Sequence, residues 1–439
     1  MFQIPPRCER RGILREGLVN AGGDATPTEW IVRGTDRDEY SEVMRVVGEA
    51  LLSSDPPEDR EPFLRPLLDA EGYDRVLVAV DGDEIVGAVN DFAFEMALPG
   101  GPRPVAGVTG VGVWPTYRRR GVLSALMRRQ LADIHARGER YAALWASEGA
   151  IYGRFGYGPA VTEMETAVRQ PHARLRADAP RDPALRVRLA DPGQVRPDLE
   201  RVHREVAAVQ VGQFQRAAHW WDRVLRDQAQ FREGRGPLRA AVVSGPDGPL
   251  GYALYRTRNR WERDGSRGEV YVKEITATTP AAWTALYDHL FNRDLVTEIT
   301  FDFLAVDDPL RHLLVDSGRA APTLYTSLWV RLVDVSGALS ERSYAAPVEA
   351  VLEVADRFAP WNAGRWHVKA DTGGARVEAT DAAPDVSLDV SHLGAAHLGQ
   401  TTLDGYLRAG LITEHTPGTV ERLDAALRRS RAPFCGLIF

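Results

Sequence analysis

The stretch "GVGVWPTYRRRGVLSALMRRQ", residues 110–130, decides the fold. An apolar run rich in valine and glycine stops at Trp114 and Pro115. Arg118, Arg119 and Arg120 follow, then Gly121, then a segment that reads as a helix over 121–137, closed by Gly138. A helix start carries free N–H groups and the positive end of the backbone dipole, so clustered cations are unfavourable there unless an anion sits among them. Gly121 removes the side chain where backbone must approach a phosphate, and arginines add charge-assisted hydrogen bonds. A diphosphate is the natural ligand of such a turn. The spacing is neither of two common phosphate fingerprints. Gly107, Gly110 and Gly112 precede the turn in the wrong order for GxGxxG, and no GK[ST] follows.

Working outward, "RVLVAV" (75–80) and "IVGAVNDFAFEMAL" (85–98) are strand-like runs around "DGDE", a hairpin signal. "PVAGVTGVGV" (104–113) is a third strand and "YAALWAS" (141–147) a buried one. "TDRDEYSEVMRVVGEALL" (35–52) has a Thr35/Asp36 cap and helical spacing at Tyr40, Val43, Val47 and Leu51. The strand–helix–strand step across the arginine turn implies a parallel crossover at the sheet centre.

The same order recurs. "LRAAVVSGPDGPLGYALYR" (238–256) gives strand, turn, strand; "GEVYVKEITATTPAAWTALYDHLF" (268–291) gives strand then helix; "EITFDFLA" (298–305) closes with a strand. This reads as an internal duplication. The second copy carries "TATTPAAW" where the first has its arginine–glycine turn. From Tyr344 the texture changes. "APVEAVLEVADRFAPW" reads as helical, "GRWHVKADTGGARVEAT" as a hairpin, "DVSLDVSHLGAAHLG" as strand into helix and "TVERLDAALRRS" as a last helix. The terminal "RAPFCGLIF" is apolar and is expected to dock, because burying apolar surface is favourable by roughly 25 cal/mol per Å².

The chain of 439 residues has room for two to four domains, and 44% hydrophobic with 26% charged residues is ordinary globular composition. No run of about 18 apolar residues occurs, so no membrane span is expected. A net charge of −7 argues against a nucleic-acid partner. Cys8 and Cys435 are the only cysteines and have no metal spacing, which fits a reducing, cytoplasmic setting. Residues 1–27 read as a polar leader of disordered character, without the apolar core of a signal peptide. His392 and His397 are five apart, no HExxH occurs, and no metal is expected. No GxSxG elbow offers a serine nucleophile. Trp220 and Trp221 read as core or interface, and Trp30 and Trp114 as packing or pocket walls.

A strand, R-x-x-G, a helix, a strand and a downstream tyrosine together resemble the GNAT acyltransferases. More narrowly, "VTGVGVWPTYRRRGVLSALM" and "WASEGAIYGRFGYGPA" are similar to the corresponding segments of the Eis acetyltransferase family. The resemblance implies a mixed α/β fold of two tandem GNAT-like domains plus a sterol-carrier-protein-like α+β domain. The catalytic GNAT domain would span 28–165, a degenerate copy 166–340 and the C-terminal domain 341–439. Leu123 stands where GNAT loops usually carry glycine or alanine; Eis-like loops carry a large residue there.

The family implies that acetyl-CoA is the cosubstrate. Val111, Gly112 and Val113 would offer backbone groups to its pantetheine arm. Arg119, Arg120, Gly121, Val122, Leu123 and Ser124 would hold the pyrophosphate. Ser147 and Glu148 would contact the cosubstrate near its reactive end. Transfer to an amine needs a base, a stabilised carbonyl oxygen and an acid for the departing thiolate. By position alone Tyr152 and Tyr157 are both candidate acids; the resemblance selects Tyr152, leaving Tyr157 to packing. The resemblance also assigns the base to the carboxylate of Phe439. The acceptor would be a primary amine, whether aminoglycoside-like, a polyamine or a lysine side chain. Ile438 stands where an acidic residue would help hold a polycation, which counts against aminoglycosides. The family further implies a homohexamer. The competing expectation is a non-catalytic protein that binds acyl-CoA or lipid through its C-terminal domain.

Overall fold

A computed structural model of the chain describes residues 30–54 and 56–439; the leader expected over 1–27 lies outside them. The first module runs β1 (Ile31–Gly34), α1 (Tyr40–Ala50), α2 (Pro57–Glu71), β2 (Val76–Asp81), β3 (Glu84–Leu98), β4 (Gly101–Val113), α3 (Val122–Ala136), β5 (Tyr141–Trp145), α4 (Gly149–Tyr152) and β6 (Gly158–Pro159). Gly82 takes φ +58 in the β2–β3 turn, the left-handed conformation an Asp-Gly hairpin calls for. Helix α1 buries Tyr40, Val43, Met44 and Val47, each side chain contributing about 1.5–3 kcal/mol.

The second module follows with β7 (Thr162–Arg169), β8 (Arg186–Ala190), α5 (Arg196–Ala207), α6 (Ala218–Leu225), β9 (Arg239–Gly245), β10 (Gly248–Arg258), a small hairpin of β11 (Trp261–Glu262) and β12 (Gly265–Ser266), β13 (Gly268–Ala277), α7 (Pro280–Phe291), β14 (Val296–Ala305), β15 (Thr323–Thr326) and β16 (Leu328–Leu332). The first seven-stranded sheet has the order β1-β2-β3-β4-β5-β16-β6, and the second β15-β7-β14-β13-β10-β9-β8. Each has one parallel pair at its centre, β4 with β5 and β13 with β14. Gly87 pairs with Val113 in one sheet and Gly251 with Ala277 in the other, so the duplicated turn and glycine occupy equivalent places.

The sheets do not follow the linear order. β16, from the end of the second module, lies inside the first sheet, while β7 lies inside the second. The boundary read at 165/166 therefore falls inside a strand. β6–β7 and β15–β16 pair antiparallel in one unbroken register, from Gly158↔Val330 and Pro159↔Trp329 to Thr162↔Thr326 and Glu165↔Thr323. They form a single two-stranded ribbon that passes from one sheet into the other. At the crossing Ser327 is buried and its N–H donates to the Val161 carbonyl at 2.9 Å.

The third domain is a five-stranded sheet in the order β19-β18-β17-β20-β21, with β17 (Val348–Ala355), β18 (Gly364–Asp371), β19 (Gly374–Ala379), β20 (Val386–Asp389) and β21 (Thr413–Glu414). The helix expected over "APVEAVLEVADRFAPW" is instead β17, the central strand. Val348, Ala350, Leu352 and Val354 are all buried at every second position. That period of two is the signature of a strand, not of a helix. The other elements expected in this domain are observed, including helices at Val390–Ala396 and Thr419–Leu427, whereas the helix Leu403–Arg408 and β21 had not been expected. The first of these covers β6. A Cβ on Gly158 would collide with the Ser391 carbonyl, so glycine permits the helix to seal this sheet edge. Arg331 on β16 and Asp356 after β17 form a fully buried pair at 2.6 Å that joins the domains.

Candidate active site

The parallel pair β4–β5 is in register only at Ala106↔Ala142 and Gly107↔Ala143, although β4 continues to Val113. Beyond Gly107 the strands splay. A bulge between Thr109 and Gly112 breaks the pairing with β3. Gly110 takes φ +59 there, where a Cβ would collide with the Asn90 side chain. Past the bulge, Trp114 N–H donates to Val86 O at 2.8 Å. Strand alternation then gives Gly112 to β3 and turns the backbone groups of Val111 and Val113 away from it, toward the wedge. Gly112 serves differently from its neighbours. A Cβ on it would lie 3.0 Å from Val47 Cα and Ala50 Cβ, so its bareness lets α1 lie against the strand.

Helix α3 starts at Val122 with Gly121 as its N-cap at φ +92 and no side-chain cap, which leaves the N–H groups of Val122, Leu123 and Ser124 as donors. Arg119 takes φ +63, a conformation that costs a residue with a Cβ about 1–2 kcal/mol. Such strain is typical of ligand-clamping turns. The three arginines divide their roles. Arg118 donates to the Ala50 carbonyl at 3.2 Å, at the C-terminal end of α1. Arg120 lies 4.7 Å from the Tyr117 ring and 5.6 Å from that of Trp30. Arg119 and Arg120 are exposed at the turn. Trp30 is packed in the core behind them, and Trp114 lies under Arg45 at 4.0 Å.

The walls of the wedge converge on one cluster. Val111, Val113, Leu123, Ala146 and Ile151 are half-buried around a core that includes Tyr152. Ser147 and Glu148 are exposed on the turn between β5 and α4. Burial, with the nearby Glu148 carboxylate, pushes the Tyr152 phenol up to about 12. Tyr157 stands 6.2 Å away ring to ring. It is fully buried, and its hydroxyl has no hydrogen-bond partner.

The C-terminal segment docks on the same strand. Phe439 is 6% exposed, and its ring packs 5.1 Å from that of Phe94 and 5.2 Å from that of Phe214. Thr109 Oγ1 donates to the main-chain carboxyl oxygen of Phe439 at 3.0 Å. Arg223 on α6 donates to the Ile438 carbonyl at 3.3 Å. Trp220, buried between Phe92 and Phe94, completes this aromatic seat. Sequence reasoning missed Thr109 and the seat. A signal existed for the first, because Thr109 is the single hydroxyl residue in "PVAGVTGVGV".

Among the described residues no cluster of three or more His, Cys, Asp or Glu side chains could hold a metal ion. No described helix is long and apolar enough to cross a membrane. His392 accepts from the Asp389 N–H at 3.3 Å in a capping box, and His397 is buried beside Tyr141.

A splayed parallel pair followed by an uncapped, arginine-flanked helix start defines a GNAT N-acetyltransferase. Models of the acetyltransferase (GNAT) domain match residues 31–160 and again 212–332, and a sterol carrier protein domain matches 335–436. An uncharacterized N-acetyltransferase of Streptomyces avermitilis is 39% identical over 82% of this chain and 88% of that protein. The N-acetyltransferase Eis of Mycobacterium bovis is 36% identical over 79% of this chain and 83% of its own length. The crystal structure of Eis1 from Mycobacterium abscessus superimposes with a TM-score of 0.79 at 32% identity, covering 93% of this chain and all of that one. The chain belongs to the Eis family of N-acetyltransferases.

Proposed function

We propose that the protein transfers an acetyl group from acetyl-CoA to a primary amine of a small molecule, with Tyr152 as general acid and the Phe439 carboxylate as general base. Acetyl-CoA would supply a thioester activated for attack. The residues present fit it: an uncapped helix start and Arg119 and Arg120 suit a diphosphate, and the bared edge at Val111 and Val113 suits an amide-bearing arm. The N–H groups of Val111 and Val113 can polarise a carbonyl placed in the wedge. Tyr152, with its pKa at about 12, keeps its proton until sulfur departs. A thiolate in the same low-dielectric cleft is itself more basic than the usual value of about 8.5, which narrows the mismatch.

The observation that carries this reading is the Phe439 carboxyl held by Thr109 on the strand that bears Val111 and Val113. An oriented carboxylate can receive the ammonium proton directly or through one water. The test is thiol release from acetyl-CoA across a panel of primary amines, with the mass of each product. Residues added after Phe439 are expected to lower turnover by about 10²–10⁴-fold with the fold intact. Wild-type turnover in a folded, extended protein removes the base. Binding of acetyl-CoA with no turnover on any amine favours a non-catalytic acyl-CoA binder.

A further inference from the structure

The second module has a cleft of its own. β13 and β14 are in register from Glu269 to Val272, after which both continue without pairing to each other. A bulge at Lys273 breaks the pairing with β10, at nearly the place where Gly110 interrupts β4. This is the position of the cosubstrate wedge in the first module, and here it is filled by the chain itself. Phe434 and Gly436 line, together with Lys273, Ile275, Thr276 and Phe303, a cavity of about 10 Å³, room for one water.

The segment is bonded along its length. Ala432 N–H donates to Asp307 at 2.8 Å, and Phe434 N–H to the Val211 carbonyl at 2.8 Å. The next two amides have a single acceptor. Cys435 N–H and Gly436 N–H donate to Glu163 Oε1 at 2.8 and 3.3 Å. Glu163 is fully buried on β7, opposite Tyr325 in the ribbon, and accepts from the Tyr325 hydroxyl at 3.3 Å. Three residues beyond Gly436 is Phe439.

We propose that the second module's cleft is the seat of the chain's own C-terminal segment, and that Glu163 is the positioning residue that fixes where the Phe439 carboxylate stands in the first cleft. The catalytic consequence rests on the function proposed above; the seat itself does not. A segment whose bonds stopped at Phe434 could place its end anywhere within several ångströms, and a misplacement of about 1 Å can cost about a hundredfold in rate. The groove of the degenerate copy thus holds a peptide where that of the first holds a cosubstrate.

Glu163→Leu and Glu163→Gln test this by the rate at which a carboxypeptidase selective for aromatic ends releases Phe439, and by kcat and the acetyl-CoA KM. In Glu163→Leu, release is expected to rise at least about tenfold, because a buried and a half-buried amide lose their acceptor. Its kcat should fall by a similar factor with the KM for acetyl-CoA unchanged. Burial pushes the Glu163 carboxyl up to about 7, so a neutral acceptor already serves near neutrality, and Glu163→Gln should behave as wild type. Folded Glu163→Leu protein that resists the protease like wild type overturns the proposal. Should that variant not fold, hydrogen exchange in the unmodified chain decides: protection of the Cys435 and Gly436 amides equal to that of β7 supports the seat, and loop-like exchange overturns it. Release and exchange need no turnover, so failure of the base role shows in kcat alone and failure of the seat in these two readouts.

Discussion

In the first module the central parallel pair keeps register at two positions and then opens; in the second it keeps register through four, Glu269 to Val272, before opening. At the mouth of the first, Gly121 leaves the start of α3 uncapped. At the mouth of the second, Thr279 caps α7 by accepting from Ala282 N–H, and Pro280 at the first helical position has no N–H to give. The wedge of the first is lined by half-buried valines, that of the second by Lys273 and the C-terminal segment. One topology thus offers free backbone donors for the proposed anion site in one copy and none in the other. Fold does not decide the function of each copy; a few residues at one turn do.

The largest expected effect strikes the first cleft alone. Tyr152→Phe should lower kcat by about 10²–10⁴-fold while leaving acetyl-CoA affinity unchanged; a steady-state comparison checks it. The wild-type pH profile sharpens the assignment. With the phenol held at about 12, the acid stays protonated and the rate should show no alkaline fall below pH of about 10. A limb near 8 would assign the acid elsewhere. Next, Gly121→Asp puts a carboxylate beside the proposed anion site. Calorimetric affinity for acetyl-CoA should drop about a hundredfold through lost and repelled charge-assisted bonds.

In the second module Lys273 and Thr279 should respond in stability and not in acetyl-CoA affinity. Burial lowers the Lys273 ammonium to about 8, below its ordinary 10.5. The folded state therefore binds fewer protons than the unfolded chain between those values, and this group's contribution makes stability rise as pH climbs from about 8 through 10.5. Lys273→Met should flatten that rise in denaturant titrations and leave acetyl-CoA binding alone. Smaller still, Thr279→Ala should cost about 1 kcal/mol of stability through the lost cap. A change in acetyl-CoA affinity in either variant would break the comparison.

The elements that local chemistry specifies were legible in the sequence. The Asp-Gly turn, the Gly121–Gly138 helix, the second copy and the docked apolar end are all written in adjacent residues. β17 was misread because "VEAVLEVA" satisfies both periods, and only pairing with β18 and β20 on its two sides settles it. The ribbon was not legible at all. Nothing in "AVTEMETAVR" or "TLYTSLWVRL" says that each continues from one sheet into the other, because that choice depends on partners about 165 residues away. Glu163 was hidden for the same reason. Glu163 and Glu165 both look solvated in the sequence of β7, until the chain that covers the first is in place.

The ribbon also bears on how the protein is made. During synthesis β5 has no partner on its outer side until Leu328–Leu332 emerges from the ribosome, so a nascent chain carrying the whole arginine turn still exposes an open sheet edge. Folding must wait for most of the second copy. A gene fragment ending near residue 161 should accordingly yield aggregated rather than soluble polypeptide.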